Sequence, residues 1–271
     1  MAHTALKIAL PLAVLIGASA PIAAAQDSED PPEQAPWSMA DKYWGAEEMA
    51  KSRESVQAAN GDQKNIMIMG ERLEWQDTGG DGSLLWDAQG WYGGDVNKLW
   101  IKTEGEISLE EDEIEDAEIQ ALYSRAISSF WDLQAGIRYD LEPKGRTHAV
   151  LGVQGLAPYW FEIDAAAFVS TDGDVSASVE AEYELLLTQR LILQPRIEVE
   201  LSAQDIPELG IGSGLVAIEP GVRLRYEIKR EFAPYIGVEW QKEFGDTADF
   251  SRAEGGDPDK FVAVIGLRTW F

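Results

Sequence analysis

The sequence predicts an all-β protein: a closed antiparallel transmembrane β-barrel of about twelve strands with a polar lumen. Three observations carry this. Over the last stretch, Lys260 to Trp270, alternation puts Phe261, Ala263, Ile265, Leu267 and the final Phe271 on one face. Strand side chains point to opposite sides with period two, so that face is an apolar stripe ending in an aromatic carboxylate, as in the last strand of a bacterial outer-membrane barrel. Upstream, segments of roughly ten alternating residues recur between turn signals. Within them, charged residues take one face and apolar residues the other.

From the N-terminus, Lys7 precedes an apolar run, Ile8 to Ile16, followed by small residues to Ala23–Ala25 and then polar Gln26 and Asp27. That is the layout of a secretory signal peptide with an Ala-x-Ala cleavage site, so residues 1–25 are expected to be removed. Beyond residue 25 no stretch approaches the roughly 18 to 20 apolar residues of a spanning helix. Residues 26–62 are polar and acidic and contain Pro31, Pro32 and Pro36, which reads as a flexible periplasmic extension with a short helix over 46–56. The barrel is expected over 63–271.

Strands are expected near 64 to 76, 83 to 92, 97 to 108, 115 to 126, 130 to 141, 147 to 156, 158 to 169, 174 to 186, 189 to 201, 215 to 228, 231 to 244 and 260 to 271. Short links such as Gly93 to Val96, Gly155 to Pro158, Thr188 and Lys229 to Arg230 interleave with longer ones, Gln76 to Gly82, Ser202 to Gly214 and Gly245 to Asp259. Short periplasmic turns and longer extracellular loops would place both termini in the periplasm.

Face by face, Val175, Ala177, Val179, Ala181, Tyr183 and Leu185 oppose Ser176, Ser178, Glu180, Glu182 and Glu184. Leu191, Leu193, Ile197, Val199 and Leu201 oppose Gln194, Arg196, Glu198 and Glu200. Val222, Leu224, Tyr226 and Ile228 oppose Glu219, Arg223, Arg225 and Glu227. A soluble sandwich also alternates, but Trp86, Tyr92, Trp131, Tyr139, Tyr159, Tyr226, Phe232 and Trp240 fall at segment ends, where interfacial girdles belong. Lipid offers no partner for a bare backbone edge, so the first and last strands must pair. About twelve strands leave a modest lumen that inward Arg and Glu side chains can largely fill.

Composition narrows the chemistry. The absence of cysteine removes disulfides, thiol nucleophiles and thiolate metal sites. A net charge of −26 repels nucleic acid and favours cations. Ten tryptophans argue against reading that acidity as disorder.

The strings GVQGLAPYWFE at 152–162, VEAEYELLLTQRLILQPR at 179–196, PELGIGSGL at 207–215, RLRYEIKREFAPYIGVEW at 223–240 and FGDTADF at 244–250 closely resemble the copper resistance protein B family, a resemblance that covers residue 37 to the C-terminus. It implies an outer-membrane barrel contributing to copper tolerance beside a periplasmic multicopper oxidase of the same operon. Copper is then the expected ion. Many members of that family are Met- and His-rich before the barrel, whereas here the extension retains only Met39 and Met49 and no His.

Candidate ligands are therefore few. Met39 and Met49, with neighbouring carboxylates, could hold copper weakly, against the blander and favoured reading of surface residues. Met67 and Met69 alternate with Arg72 and Glu74 such that, on a regular strand, they share the side of Leu73 and Trp75 and pack against lipid. His148, the one histidine beyond residue 25, is expected to point inward with Val150 and Gln154; a lone His is more often structural than a ligand. The inward carboxylates Glu180, Glu182, Glu184, Glu198, Glu200, Glu219, Glu227 and Glu239 either form a cation-attracting passage or are neutralised by Arg138, Arg196, Arg223 and Arg225 in a space-filling network. The network is favoured, because buried charges persist chiefly when paired. Three function classes follow: a barrel that binds or passes copper, a passive structural or cation-selective barrel, and an outer-membrane hydrolase. The last is disfavoured, since Arg146 and Val150, not Ser, are the two-residue neighbours of His148, and the expectation is a non-enzyme.

Overall fold

The computed structural model describes residues 38–61, 63–77, 82–110 and 113–271. The expected signal peptide, and the extension as far as residue 37, lie outside the described residues. Of the extension, two helices are described, α1 (Asp41–Trp44) and α2 (Ala46–Asn60). Gly45 separates them at φ 87°, a left-handed conformation that glycine adopts without steric cost. Arg53 grips Asp41 with two guanidinium bonds, 2.7 and 3.2 Å. The helix expected over 46–56 thus runs one turn further, and Glu47 and Glu48 in its first turn complement the helix dipole.

The rest of the chain forms twelve antiparallel strands: β1 (Asn65–Asp77), β2 (Gly82–Gly93), β3 (Asn97–Ser108), β4 (Glu113–Ala126), β5 (Trp131–Glu142), β6 (Arg146–Ala157), β7 (Phe161–Ser170), β8 (Val175–Glu182, resuming at Leu185–Leu186), β9 (Leu191–Ser202), β10 (Gly214–Tyr226), β11 (Phe232–Glu243) and β12 (Asp259–Trp270). Each pairs with its sequence neighbours, and β12 pairs with β1 through Trp270↔Met69, Ile265↔Trp75 and Ala263↔Asp77. The seam is tied at its end by Phe271 N–H to Ile68 O (2.8 Å) and Ile68 N–H to Phe271 O (3.1 Å). The sheet therefore has no free edge, as a hydrocarbon surrounding requires.

The exterior is apolar. Ile66, Ile101, Ile137, Leu151, Val179, Ile236, Phe261 and Ile265 are exposed on it. Such a contiguous greasy surface suits acyl chains, not water. Tyr92, Tyr226 and Phe232 mark one rim and Trp75, Tyr139 and Phe261 the other.

Two local departures from regularity have identifiable causes. β8 breaks at Tyr183–Glu184, opposite Pro195 of β9. Tyr183 N–H still donates to Pro195 O (3.1 Å), but proline has no N–H to return the bond, so the ladder opens there and closes again at Leu185↔Leu193. The second is a β-bulge in β1: against both β12 and β2 the strand carries one extra residue between Gly70 and Leu73.

The bulge overturns one expectation. Across it the alternation changes phase, so Leu73 and Trp75 stay outward while Ile66 and Ile68, not Met67 and Met69, are the outward residues below it. Ile66 is 68% exposed and Ile68 56%, and Met69 Sδ lies 3.8 Å from Arg268 Nη2 inside the barrel. Met67 and Met69 line the lumen.

Link length alternates less than the sequence suggests. The links at the end carrying Phe271 span 94–96, 127–130, 158–160, 187–190 and 227–231, and at the opposite end 78–81, 109–112, 143–145 and 171–174 are just as short. Only 203–213 and 244–258 are long, and both are structured, by the 3-10 turn Pro207–Leu209 and by helix α3 (Gly245–Glu254). Gly212 N–H donates to the buried Thr247 hydroxyl (2.8 Å), which joins the two loops over one mouth.

Candidate functional site

Period-two alternation delivers the charged residues of neighbouring strands to the lumen, where they are buried among one another. Arg223 on β10 donates to both oxygens of Glu74 on β1 (2.6 and 3.1 Å) and to Glu239 on β11 (2.9 Å). Tyr235 adds its hydroxyl to Glu74 at 2.9 Å. Room for that guanidinium depends on Gly237, where a Cβ would come within 2.9 Å of Arg223 Cγ. Arg196 on β9 meets Glu180 (2.5 Å) and Glu198, with Glu182 at 3.7 Å and Glu239 at 3.8 Å. Arg225 donates to Gln194 (2.7 Å) and Glu184 (2.5 Å), and Glu184 also accepts from Arg268 on β12 (2.7 Å). Arg138 bridges Glu118 and Asp140 at 2.6 Å each. Side chains this dry tolerate charge only because each is paired; the network fixes the barrel's cross-section more than it adds net stability.

Several bridges cross the lumen instead of joining adjacent strands. Lys102 on β3 reaches Asp164 on β7, and Arg268 on β12 reaches Glu184 beyond the first part of β8. Lys102 and Asp164 lie in the wall of a cavity of about 90 Å³ that is also lined by Glu71, Asp87, Glu104, Glu118, Glu180 and Glu198, with Lys102 the cation among them. At roughly 30 Å³ per water that is space for about three waters, far from a wide pore. Glu180, Glu198 and Glu219 stand directly opposite one another on β8, β9 and β10, a row of like charge that attracts cations. Glu200 lies further along the same face of β9 and is solvent-exposed.

The structure thus brings Arg138, Glu180, Glu182, Glu184, Arg196, Glu198, Glu219, Arg223, Arg225 and Glu239 into one interior. Glu227 falls outside it: β10 ends at Tyr226, and Glu227 sits in the following turn with its N–H on Arg190 O (2.8 Å). Sequence reasoning missed several partners, Asp87, Glu104 and Asp164 on β2, β3 and β7 and Arg268 on the last strand. Asp87 and Glu104 sit at inward positions that period two could have found; that Lys102 faces Asp164 could not be read before the strand order closed.

His148 points inward as expected, buried, with Nε2 2.8 Å from Asp140 and its ring edge-on to Phe168. Its Nδ1 has no hydrogen-bond partner. Among the described residues no three His, Cys, Asp or Glu side chains converge as a metal cage. Met39 is 67% exposed and Met49 half-buried on α2.

At the looped mouth Arg146 is a hub, pairing with Asp174 and Glu208, with Asp172 at 3.4 Å. Glu208 also accepts from Lys144 (2.7 Å), and Lys144 first, then Arg146, hold its carboxyl below the usual range. A depressed carboxylate contributes fully above its unfolded pKa of about 4.3 and loses that contribution as pH falls through its folded value. Proteolytic nicking of loop 203–213 is therefore expected to stay constant from pH 7 to pH 5 and to rise below about pH 4. Nicking that rises already at pH 6 would contradict the clasp.

Residues 64–271 match the family described as copper resistance protein B precursor. Copper resistance protein B of Escherichia coli is 45% identical over 208 residues, 76% of this chain and 70% of that protein. The copper resistance protein B homolog of Pseudomonas syringae pv. tomato (strain ATCC BAA-871 / DC3000) is 44% identical over the same shares. Among solved structures, the NanC porin is similar in fold, with a TM-score of 0.51 at 12% identity, covering 76% of this chain and 99% of that one.

Proposed function

Because the chain belongs to the copper resistance protein B family, an outer-membrane barrel of copper resistance, we propose that it acts by binding copper ions within the barrel and holding them at, or passing them across, the outer membrane. The observation that carries this reading is the interior cavity, whose wall sets seven carboxylates against one lysine. A cavity of that size admits an ion with a few waters and excludes larger solutes. Carboxylates suit the capture of a cation by charge, while thioether or imidazole donors select copper from others.

In this reading the end carrying Phe271 and the shorter turns faces the periplasm, together with the extension, and the looped mouth faces outward. Copper arriving in the periplasm first meets the acidic extension, where Met39 and Met49 are the soft donors. His148 would serve as an imidazole donor only by leaving Asp140. A periplasmic multicopper oxidase of the same operon is the partner this placement accommodates, and no catalytic step is assigned to the barrel. A passive cation-selective barrel is the competing reading, favoured by how completely the arginines pair.

The test is a deletion strain rescued by the full chain or by a chain lacking residues 26–62, scored for copper tolerance and cell-associated copper. Full rescue by the shortened chain is expected and assigns copper handling to the barrel. Loss of rescue with the barrel still assembled would move the copper site to the extension. Equal tolerance with and without the full chain would defeat the proposal.

A further inference from the structure

We infer that Met67 and Met69 form a thioether seat for a cuprous ion on the inner wall of the barrel. This deepens the copper-binding reading above and rests on it. The chain has five methionines, and these two are the ones on the barrel strands; with no cysteine, they are also its only sulfur donors there. The bulge in β1 turns them from lipid to lumen, and bulges commonly re-aim side chains beside functional sites. Two residues apart on one face of a strand, their Cβ atoms lie about 7 Å from each other, and three rotatable bonds in each side chain let the sulfurs converge.

The neighbours suit a soft cation. Met69 Sδ already presents a lone pair to a cationic group, Arg268 Nη2 at 3.8 Å, rather than to packing alone. An ion taking that place leaves Arg268 its stronger bond to Glu184 (2.7 Å). Met67 lies opposite Trp91, whose ring faces Trp100 at 6.2 Å, and both rings hold the Lys98 ammonium over them at 5.6 and 5.8 Å. Aromatic faces that hold one cation can shield another from water. On the other side Met69 is paired in register with Gln89, which with Glu71 lines the acidic cavity. Carboxylates thus gather the cation and thioethers next to them select it, because thioethers prefer Cu(I) to Cu(II) and to harder ions. Thioethers have no proton to lose, so binding there releases none, unlike binding at histidine or carboxylate.

The experiment is anaerobic competition for Cu(I) between the full chain in detergent and bicinchoninate. Met67→Leu/Met69→Leu conserves volume and is expected to keep the fold. It should weaken Cu(I) binding by more than about 100-fold, since even the outer partners of a ligand are worth roughly 10- to 100-fold. Ile66→Leu/Ile68→Leu, on the outward face of the same strand, should bind as the parent does. The parent's affinity should not change between pH 6 and pH 8, and copper-edge absorption should show sulfur scatterers. Unchanged binding in the lumen variant, or nitrogen and oxygen scatterers alone, overturns the seat while leaving the copper reading intact. A parent chain that binds no Cu(I) overturns the seat and copper binding together.

Discussion

Arg223→Ala is expected to lower the unfolding free energy of the barrel by about 3–5 kcal/mol, the range for removing one member of a buried ion pair. The Glu74 side chain is fully buried and that of Glu239 nearly so, with 1% of its surface exposed, and Arg223 is the cation that joins them. Alanine leaves both carboxylates in place with only neutral donors close by, Tyr235 and Gln76 on Glu74 and Gln241 on Glu239, and a distant Arg196 (3.8 Å from Glu239). The loss should appear in urea titration of the protein folded into phospholipid vesicles, followed by tryptophan fluorescence. Glu74→Gln/Arg223→Met removes one charge of each sign and keeps the Tyr235 bond to a neutral amide, so it should recover most of the deficit. A single variant within about 0.5 kcal/mol of the parent would mean that water reaches this layer freely and that the network is not what fills the lumen.

The two variants separate what alternation could and could not reveal. Arg196, Arg223 and Arg225 were legible as inward residues, because period two needs only the local sequence and Val222, Leu224 and Tyr226 mark the opposite face. The second partner of Arg223 was not legible, because Glu74 is 149 residues from Arg223 and meets it only after β12 and β1 close the barrel. Twelve strands were legible for the same local reason. The break in β8 came from a proline on the neighbouring strand, visible in the sequence only if the register of Pro195 against Tyr183 is already known. Loop length misled, because Gln76, Asp77 and Gly82, counted with the link from Gln76 to Gly82, belong to β1 and β2. The end of α2 was missed because Gln57–Asn60 has no apolar stripe to prolong the pattern.

Deleting Glu71 is expected to remove the bulge and leave the two faces of the first half of β1 as they are. Above the bulge the strand is pinned: Arg72 bonds Asp87 (3.1 Å) and Glu104 inside, Glu74 holds Arg223, and Leu73 and Trp75 lie on the apolar exterior. With the extra residue gone, Gly70 directly precedes Arg72, and regular alternation counted back from the inward Arg72 keeps Gly70, Ile68 and Ile66 outward and Met69 and Met67 in the lumen. The absence of native cysteine makes this directly readable with single cysteines. In the parent background Met67→Cys and Met69→Cys should react with a charged, membrane-impermeant thiol reagent, and Ile66→Cys and Ile68→Cys should be protected. In the Glu71-deletion background the pattern should persist, and Cu(I) affinity with it, as both thioethers stay in the lumen. Labelling that inverts after the deletion would show that the strand slips against β12 and β2 when the bulge is lost, and that their pairing does not dictate which side chains face inward.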